Sequence, residues 1–196
     1  MIVAFVGTYD DDSRLPIRGN GKTNAMTGYA YLDYLEGKHI WSNYYTNFSE
    51  KVIGLQEMIN IINNEPQEKT ILVISEIQKL LNSIGSNTQE ILFIDNFVSQ
   101  LRKLNITLYY DTQRFLNIQK RLRIHTDVIL IPHKHHFDNA ACNNDLCKKP
   151  HKIFIYSAKP FISKYIKCFD ATLVGNKYNT NEYIEDTLIV PKKRVQ

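Results

Sequence analysis

At 196 residues the chain is long enough to bury a full hydrophobic core and short enough for one domain spanning 1–196. A hydrophobic fraction of 43% beside 22% charged residues excludes a disordered chain, and a net charge of +4 permits contact with nucleic acid without demanding it. Three cysteines argue against a disulfide framework, no apolar run reaches the roughly 18 residues that span a bilayer, and Met1 leads into a strand-like run, so a cytoplasmic protein without a membrane span is expected.

The opening run Ile2-Val3-Ala4-Phe5-Val6-Gly7 reads as a buried strand. Beyond an acid-containing stretch from Thr8 to Pro16 comes Arg18-Gly19-Asn20-Gly21-Lys22-Thr23, the core of a phosphate-binding loop, followed by a helix over about Thr23–Leu35. Glycines let backbone N–H groups turn inward around phosphate oxygens, and the helix N-terminus adds its positive end. Lys22 would reach the β- and γ-phosphates of ATP, and the Thr23 hydroxyl would sit on Mg²⁺. The full pattern G-x-x-x-x-G-K-[ST] is not met, because Pro16 stands where its first glycine belongs. A chance Gly-Lys-Thr on a surface turn is the alternative.

A strand at His39–Asn43 and a helix near Leu55–Asn63 come next, the latter ended by Asn64-Glu65-Pro66. Thr70–Ser75 is almost wholly apolar, as in a central strand covered on both faces. It ends in Ser75-Glu76, which places Glu76 as a general base for the attacking water. Ser75 stands where an aspartate is usual and would hold Mg²⁺ through a water. A solvated glutamate at a helix start is the other reading of Glu76. A helix over about Thr88–Leu104, with Ile91, Ile94, Phe97, Val98 and Leu101 on one stripe, leads to a strand at Ile106–Tyr110. That strand runs into Asp111-Thr112-Gln113, where Gln113 would face the same nucleotide or lie in a polar loop. The short basic helix containing Lys120-Arg121-Leu122-Arg123 offers either an arginine finger or a solvated face, and a strand at Asp127–Pro132 follows. The alternation of strands and helices predicts an α/β fold with a mostly parallel central sheet flanked by helices.

Pro132 to Pro150 is rich in His, Cys, Asn and Asp and reads as an insertion at about 133–151. Within it His135, Cys142, Cys147 and His151 could bind Zn²⁺ tetrahedrally and staple a loop without a core of its own. Four residues separate the two cysteines, and the choice among the histidines is ambiguous. Polar loop residues with reduced thiols are the alternative.

Together, the loop at Arg18–Thr23, Ser42-Asn43-Tyr44, Ile71–Glu76, Leu101-Arg102-Lys103, Tyr110-Asp111-Thr112-Gln113 and Arg121-Leu122-Arg123 with Thr126-Asp127 resemble the HerA/FtsK class of P-loop ATPases. The resemblance covers about residues 1–132 and is closest to the small versions encoded by archaeal viruses and plasmids. It implies a RecA-like P-loop NTPase core and a homo-oligomeric ring, usually hexameric, that hydrolyses ATP to translocate double-stranded DNA. Viral genome packaging, with capsid proteins as partners and the host cytoplasm as location, is the specific job it implies. A conjugation or DNA-resolution pump is the nearest alternative, and a nucleotide-binding assembly protein with weak or no hydrolysis the next. On the resemblance, Arg18, Gly19, Asn20, Gly21, Lys22 and Thr23 bind nucleotide and Mg²⁺, Glu76 is the catalytic carboxylate and Gln113 the sensor. Arg121 or Arg123 would act in trans. Pro16, Ser75 and the absence of an arginine at Asn82-Ser83-Ile84 depart from the family pattern and point to slow turnover.

Overall fold

Period-two alternation builds the centre of this molecule. In the first strand, β1 (Ile2–Thr8), Ile2, Ala4 and Val6 point into one apolar cluster while Val3 and Phe5 point into another. A strand buried on both faces needs helices above and below it, and the chain supplies them. The computed structural model describes residues 1–8, 21–61, 66, 68–82, 84, 87–142, 147, 149–159 and 164–178. Arg18, Gly19, Asn20, Pro16 and the Lys192-Lys193-Arg194 run lie outside these residues.

After β1 come α1 (Lys22–Leu35), β2 (His39–Ser42), β3 (Lys51–Val52), α2 (Leu55–Ile59), β4 (Thr70–Ile74), α3 (Ile77–Asn82) and α4 (Asn87–Lys103). Then follow β5 (Thr107–Arg114), a 3₁₀ turn at Phe115–Asn117, α5 (Lys120–His125), β6 (Val128–His136), β7 (His151–Lys159), β8 (Lys164–Asp170) and α6 (Thr172–Gly175). The eight strands form one sheet in the order β3-β2-β4-β5-β1-β6-β7-β8. Pairings from β3 through β6 are parallel, and β6-β7-β8 are antiparallel. The expected α/β fold with a mostly parallel sheet and flanking helices is therefore present.

Each face has its own core. Ile94, Phe97, Val98 and Leu101 of α4 are buried against Leu72, Ile74, Leu108 and Tyr110, as the helical stripe predicts. On the opposite face Ala25, Met26 and Ala30 of α1 pack on Phe5, Val73 and Tyr109. Tyr109 donates from its hydroxyl to Asp33 Oδ2 at 2.7 Å, so the far end of α1 is tied to β5. Burial and the neighbouring carboxylate push the Tyr109 hydroxyl well above its usual range, so it remains a donor. Among the described residues no helix is long and apolar enough to cross a membrane.

Two boundaries differ from the sequence expectation, each for a packing reason. Strand β5 runs on past Tyr110 to Arg114, because Asp111, Thr112 and Arg114 keep parallel register with Phe5, Val6 and Thr8 of β1. Strand β6 runs on past Pro132 to His136, because Lys134, His135 and His136 pair with Ile153, Lys152 and His151 of β7. Residues 133–136 and 151 of the stretch read as an insertion at 133–151 thus belong to the two strands of a β-hairpin. In β7, residues 151–158 alternate strictly between buried and half-exposed, the signature of a strand with one covered face.

Leu72 is fully buried in the second strand from the sheet's centre, between two packed helical layers. Leu72→Ala should lower stability by about 2–5 kcal/mol, the usual range for a buried leucine that leaves a cavity. Urea unfolding followed by circular dichroism should show a lower midpoint with an unchanged slope.

Candidate functional site

In an open parallel sheet, polar groups collect where strands end and helices begin, because backbone donors there lack partners. Here the carboxyl ends of β1, β4 and β5 and the N-terminus of α1 meet. Gly21, immediately before α1, has φ +79°, the left-handed region that glycine adopts without steric penalty. A side chain there would also collide, since an added Cβ would lie 2.6 Å from Cδ1 of Ile153. The positive φ favours glycine at the turn that aims the helix N-terminus, and any larger residue would also have to displace the end of the Ile153 side chain.

Lys22 is 7% exposed, and its ammonium donates to Oε1 of Gln113 at 3.0 Å. The Thr23 hydroxyl donates to Asp111 Oδ2 at 2.6 Å. Ser75 donates from Oγ toward the same carboxylate at 3.3 and 3.4 Å, and the backbone N–H of Glu76 donates to Oδ1. Asp111 is thus a buried hub joining α1, β4 and β5. Burial drives its carboxyl above the usual range, and the Thr23 hydroxyl, the Glu76 N–H and the charge of Lys22 offset part of that shift.

Second contacts hold this edge in shape. Asn43, just beyond β2, accepts from Ser75 N at 2.7 Å and donates from Nδ2 to Ser75 O at 3.0 Å, clamping the ends of β2 and β4 together. Thr27 donates to Thr23 O at 2.7 Å, which leaves the Tyr44 hydroxyl to donate to Thr27 across 2.8 Å. Glu76 has φ +50°, uncommon outside glycine, and its carboxylate ion-pairs with Lys79 on α3.

The structure therefore brings together Gly21, Lys22, Thr23, Ser75, Glu76 and Gln113. It does not bring Arg121 or Arg123 into this cluster. Nε of Arg121 lies 4.0 Å from Asp95 on α4, and Nε of Arg123 is buried with no hydrogen-bond partner among the described residues. Sequence reasoning gave Asp111 no role of its own. Its signal was an acidic residue inside an otherwise apolar parallel strand, hidden by ending that strand at Tyr110. Of the four residues named for zinc, Cys142, Cys147 and His151 come together, and the fourth position is taken by His136. His135 instead uses Nδ1 against the backbone oxygen of Asn139 at 2.9 Å.

The oxygen set of Thr23, Ser75 and Asp111 suits a hard cation such as Mg²⁺. An anionic ligand at the α1 N-terminus would find Lys22 and the helix dipole directed at it.

This fold recurs among solved structures. The pCW3 conjugation coupling protein TcpA, in its monomer form with ATPγS, superposes with a TM-score of 0.54 at 11% identity over 86% of this chain. The overlap takes in 60% of the TcpA chain, so this chain spans less than two thirds of that protein. The genome packaging NTPase B204 of Sulfolobus turreted icosahedral virus 2, in complex with AMP, gives 0.52 at 13% identity over 85% of this chain and 96% of B204. The N-terminal domain of zonular occludens toxin from Neisseria meningitidis gives 0.52 at 14% identity over 91% and 98%. No protein-family model and no curated protein matches the chain. At these identities the likeness is one of fold alone, a RecA-like, mostly parallel sheet flanked by helices.

A metal-anchoring role for Asp111 has a direct readout in nucleotide binding. In titrations with a fluorescent ATP analogue, Mg²⁺ should tighten binding to the parent protein. Asp111→Asn should lose at least about tenfold of that gain, the scale of one charge-assisted contact. Binding in EDTA should change little between the two proteins.

Proposed function

We propose that this chain is an ATP-hydrolysing motor that moves double-stranded DNA, with packaging of a viral genome as its specific job. The observation that carries the reading is the convergence of Lys22, Thr23, Glu76, Asp111 and Gln113 at one edge of the sheet around the α1 N-terminus. Mg²⁺, when bound, neutralises the charge of the β- and γ-phosphate oxygens. Thr23 and Ser75 hold its shell, and Asp111 supplies from β5 the carboxylate that Ser75 does not supply from β4. Arg18, Gly19, Asn20 and Gly21 wrap the phosphates in this reading.

Glu76 polarises the water that attacks the γ-phosphate. Gln113 is the sensor. In the ligand-free arrangement its Oε1 accepts from Lys22, and a phosphate offers the ammonium a stronger, charged acceptor. Transfer of Lys22 to the nucleotide frees the Gln113 amide to turn toward the γ-phosphate, which couples occupancy to the end of β5. Arg121 or Arg123 reaches a neighbouring subunit's nucleotide across a heterologous interface that closes into a ring of six copies. Their placement outside their own chain's cluster is consistent with that role. Capsid proteins are the matching partners, in the cytoplasm of the host.

The overlap with 96% of B204 against 60% of TcpA supports packaging over conjugation. A conjugation or DNA-resolution pump remains the second reading, on the likeness to TcpA. Ser75, a hydroxyl in place of a carboxylate, favours a third: a nucleotide-binding assembly protein with weak or no hydrolysis.

Phosphate release separates motor from binding protein. Lys22→Ala should abolish nucleotide binding, whereas Glu76→Gln should retain binding and hydrolyse about 10²-fold more slowly or worse. Parent-like hydrolysis by Glu76→Gln would remove the general-base assignment. DNA affinity should be independent of sequence and fall steeply with salt.

Ring action has its own test. Arg121→Ala or Arg123→Ala, each mixed with Glu76→Gln, should recover part of the lost hydrolysis, because a mixed ring pairs an intact site with an intact finger. No recovery in rings shown to be mixed would leave these arginines as a basic surface.

A further inference from the structure

Antiparallel register decides which histidines of the β6–β7 hairpin share a face. His136 and His151 are directly paired, and their rings lie 4.8 Å apart between centroids. Neighbouring His135 points to the other face, where its ring packs edge-on against Phe154 at 4.7 Å. After β6 the chain turns sharply. His136 N–H bonds to Ala140 O at 2.8 Å, Cys142 N–H bonds back to Lys134 O at 2.9 Å, and the buried Cys142 returns to the hairpin. Cys147 lies four residues before the start of β7.

The outcome is one ligand atom from each of His136, Cys142, Cys147 and His151, all within 4.8 Å of one another. Tetrahedral zinc with bonds of about 2.0–2.3 Å sets its ligands roughly 3.3–3.8 Å apart, so the four need to close by only about 1 Å. An independent observation points to an absent partner. His136 Nδ1 and His151 Nε2 are buried ring nitrogens with no hydrogen-bond partner among the described residues. An imidazole nitrogen that is buried and unbonded carries a desolvation cost that a metal bond removes. None of the three cysteines is in a disulfide.

We propose that His136, Cys142, Cys147 and His151 form a structural Zn²⁺ site that pins the tip of the β6–β7 hairpin. Four protein ligands fill a tetrahedral shell and leave no position for water or substrate, so the metal stabilises and does not catalyse. The tip also has a position of consequence. Leu130 of β6 is level with Phe5 of β1, so β6 runs on six residues to His136 while β1 runs on three to Thr8. The pinned tip therefore stands about 10 Å beyond the β1 end, on the side of the sheet where the nucleotide cluster lies.

The test uses the full chain, stripped of metal under reducing conditions and refilled with Co²⁺ as a spectroscopic probe. One equivalent should produce the visible bands of tetrahedral cobalt together with a thiolate-to-cobalt charge-transfer band, and Zn²⁺ should bleach both. Cys142→Ser, Cys147→Ser and His136→Ala should each lose that spectrum, whereas His135→Ala should keep it. Because a tip variant can misfold, alkylation of the parent protein read by mass spectrometry provides a second measurement. Zn²⁺ should protect Cys142 and Cys147 at least tenfold and leave Cys168 unchanged. The proposal is overturned by equal reactivity of all three thiols with Zn²⁺ present, by a Cys142–Cys147 disulfide in protein freshly isolated under conditions that keep Cys168 a thiol, or by loss of the cobalt spectrum in His135→Ala alone. None of these readouts involves nucleotide, so a failure here is distinct from a failure of the ATPase reading.

Discussion

Burying a carboxylate costs several kcal/mol unless donors surround it, and Asp111 is 1% exposed at the end of a central strand. Its donors come from three places in the chain: the Thr23 hydroxyl on α1, the Ser75 hydroxyl after β4 and the N–H of Glu76. Satisfying that one group therefore fixes the N-terminal end of α1 against β5 and the end of β4 against both. Asn43 extends the constraint to β2 through its two bonds to the Ser75 backbone. The left-handed conformation of Glu76 accompanies the same requirement, since its N–H donates to Asp111 while its carboxylate ion-pairs with Lys79. Local strain is thus offset by satisfaction of a buried charge.

Strand order gives this arrangement its reach. Strand β5 lies between β1, which leads toward the loop, and β4, which presents Glu76. Groups on β1 and β4 are consequently two strand spacings apart, about 10 Å, too far for direct contact between short side chains. The intervening strand bridges them with Asp111 on one side and Gln113, two residues later, on Lys22. Two residues of one strand thus touch two consecutive residues of α1, so any shift of the helix N-terminus must be felt at the end of β5.

The parts legible in the sequence were those with local signatures. The Gly-Lys-Thr step, the α4 stripe from Ile91 to Leu101 and the apolar run at Thr70–Ile74 each follow from periodicity or from the chemistry of one turn. Asp111 was not legible because its importance lies in contacts 88 and 36 residues away along the chain, with Thr23 and Ser75. The choice between His135 and His136 was equally hidden. Adjacent strand residues face opposite ways, and only the pairing of His136 with His151 says which one joins the cysteines. The antiparallel pair β7–β8 escaped notice because its alternating pattern follows a stretch whose His and Cys content resembled a loop.

The hairpin and the nucleotide cluster are also connected through packing. Along β7, His151, Ile153 and Ile155 share one buried face, and Ile153 and Ile155 belong to the core beneath α1. Ile153 is the side chain whose terminal carbon fills the space beside Gly21, where no Cβ fits. One alternation step thus separates a histidine of the hairpin tip from the residue that supports the turn before Lys22. On the other side of that core, Gly28 admits the Phe169 ring to within 3.1 Å of where its Cβ would stand, so β8 also presses on α1 through a glycine. Close-packed interiors transmit displacement rather than absorb it. An antiparallel extension seated against Gly21 and Gly28 therefore bears on the height and angle of α1 relative to β5. The three strands β6, β7 and β8 act as a brace for the Lys22–Gln113 and Thr23–Asp111 contacts, and the rigidity of the hairpin tip becomes a determinant of how accurately those contacts are held.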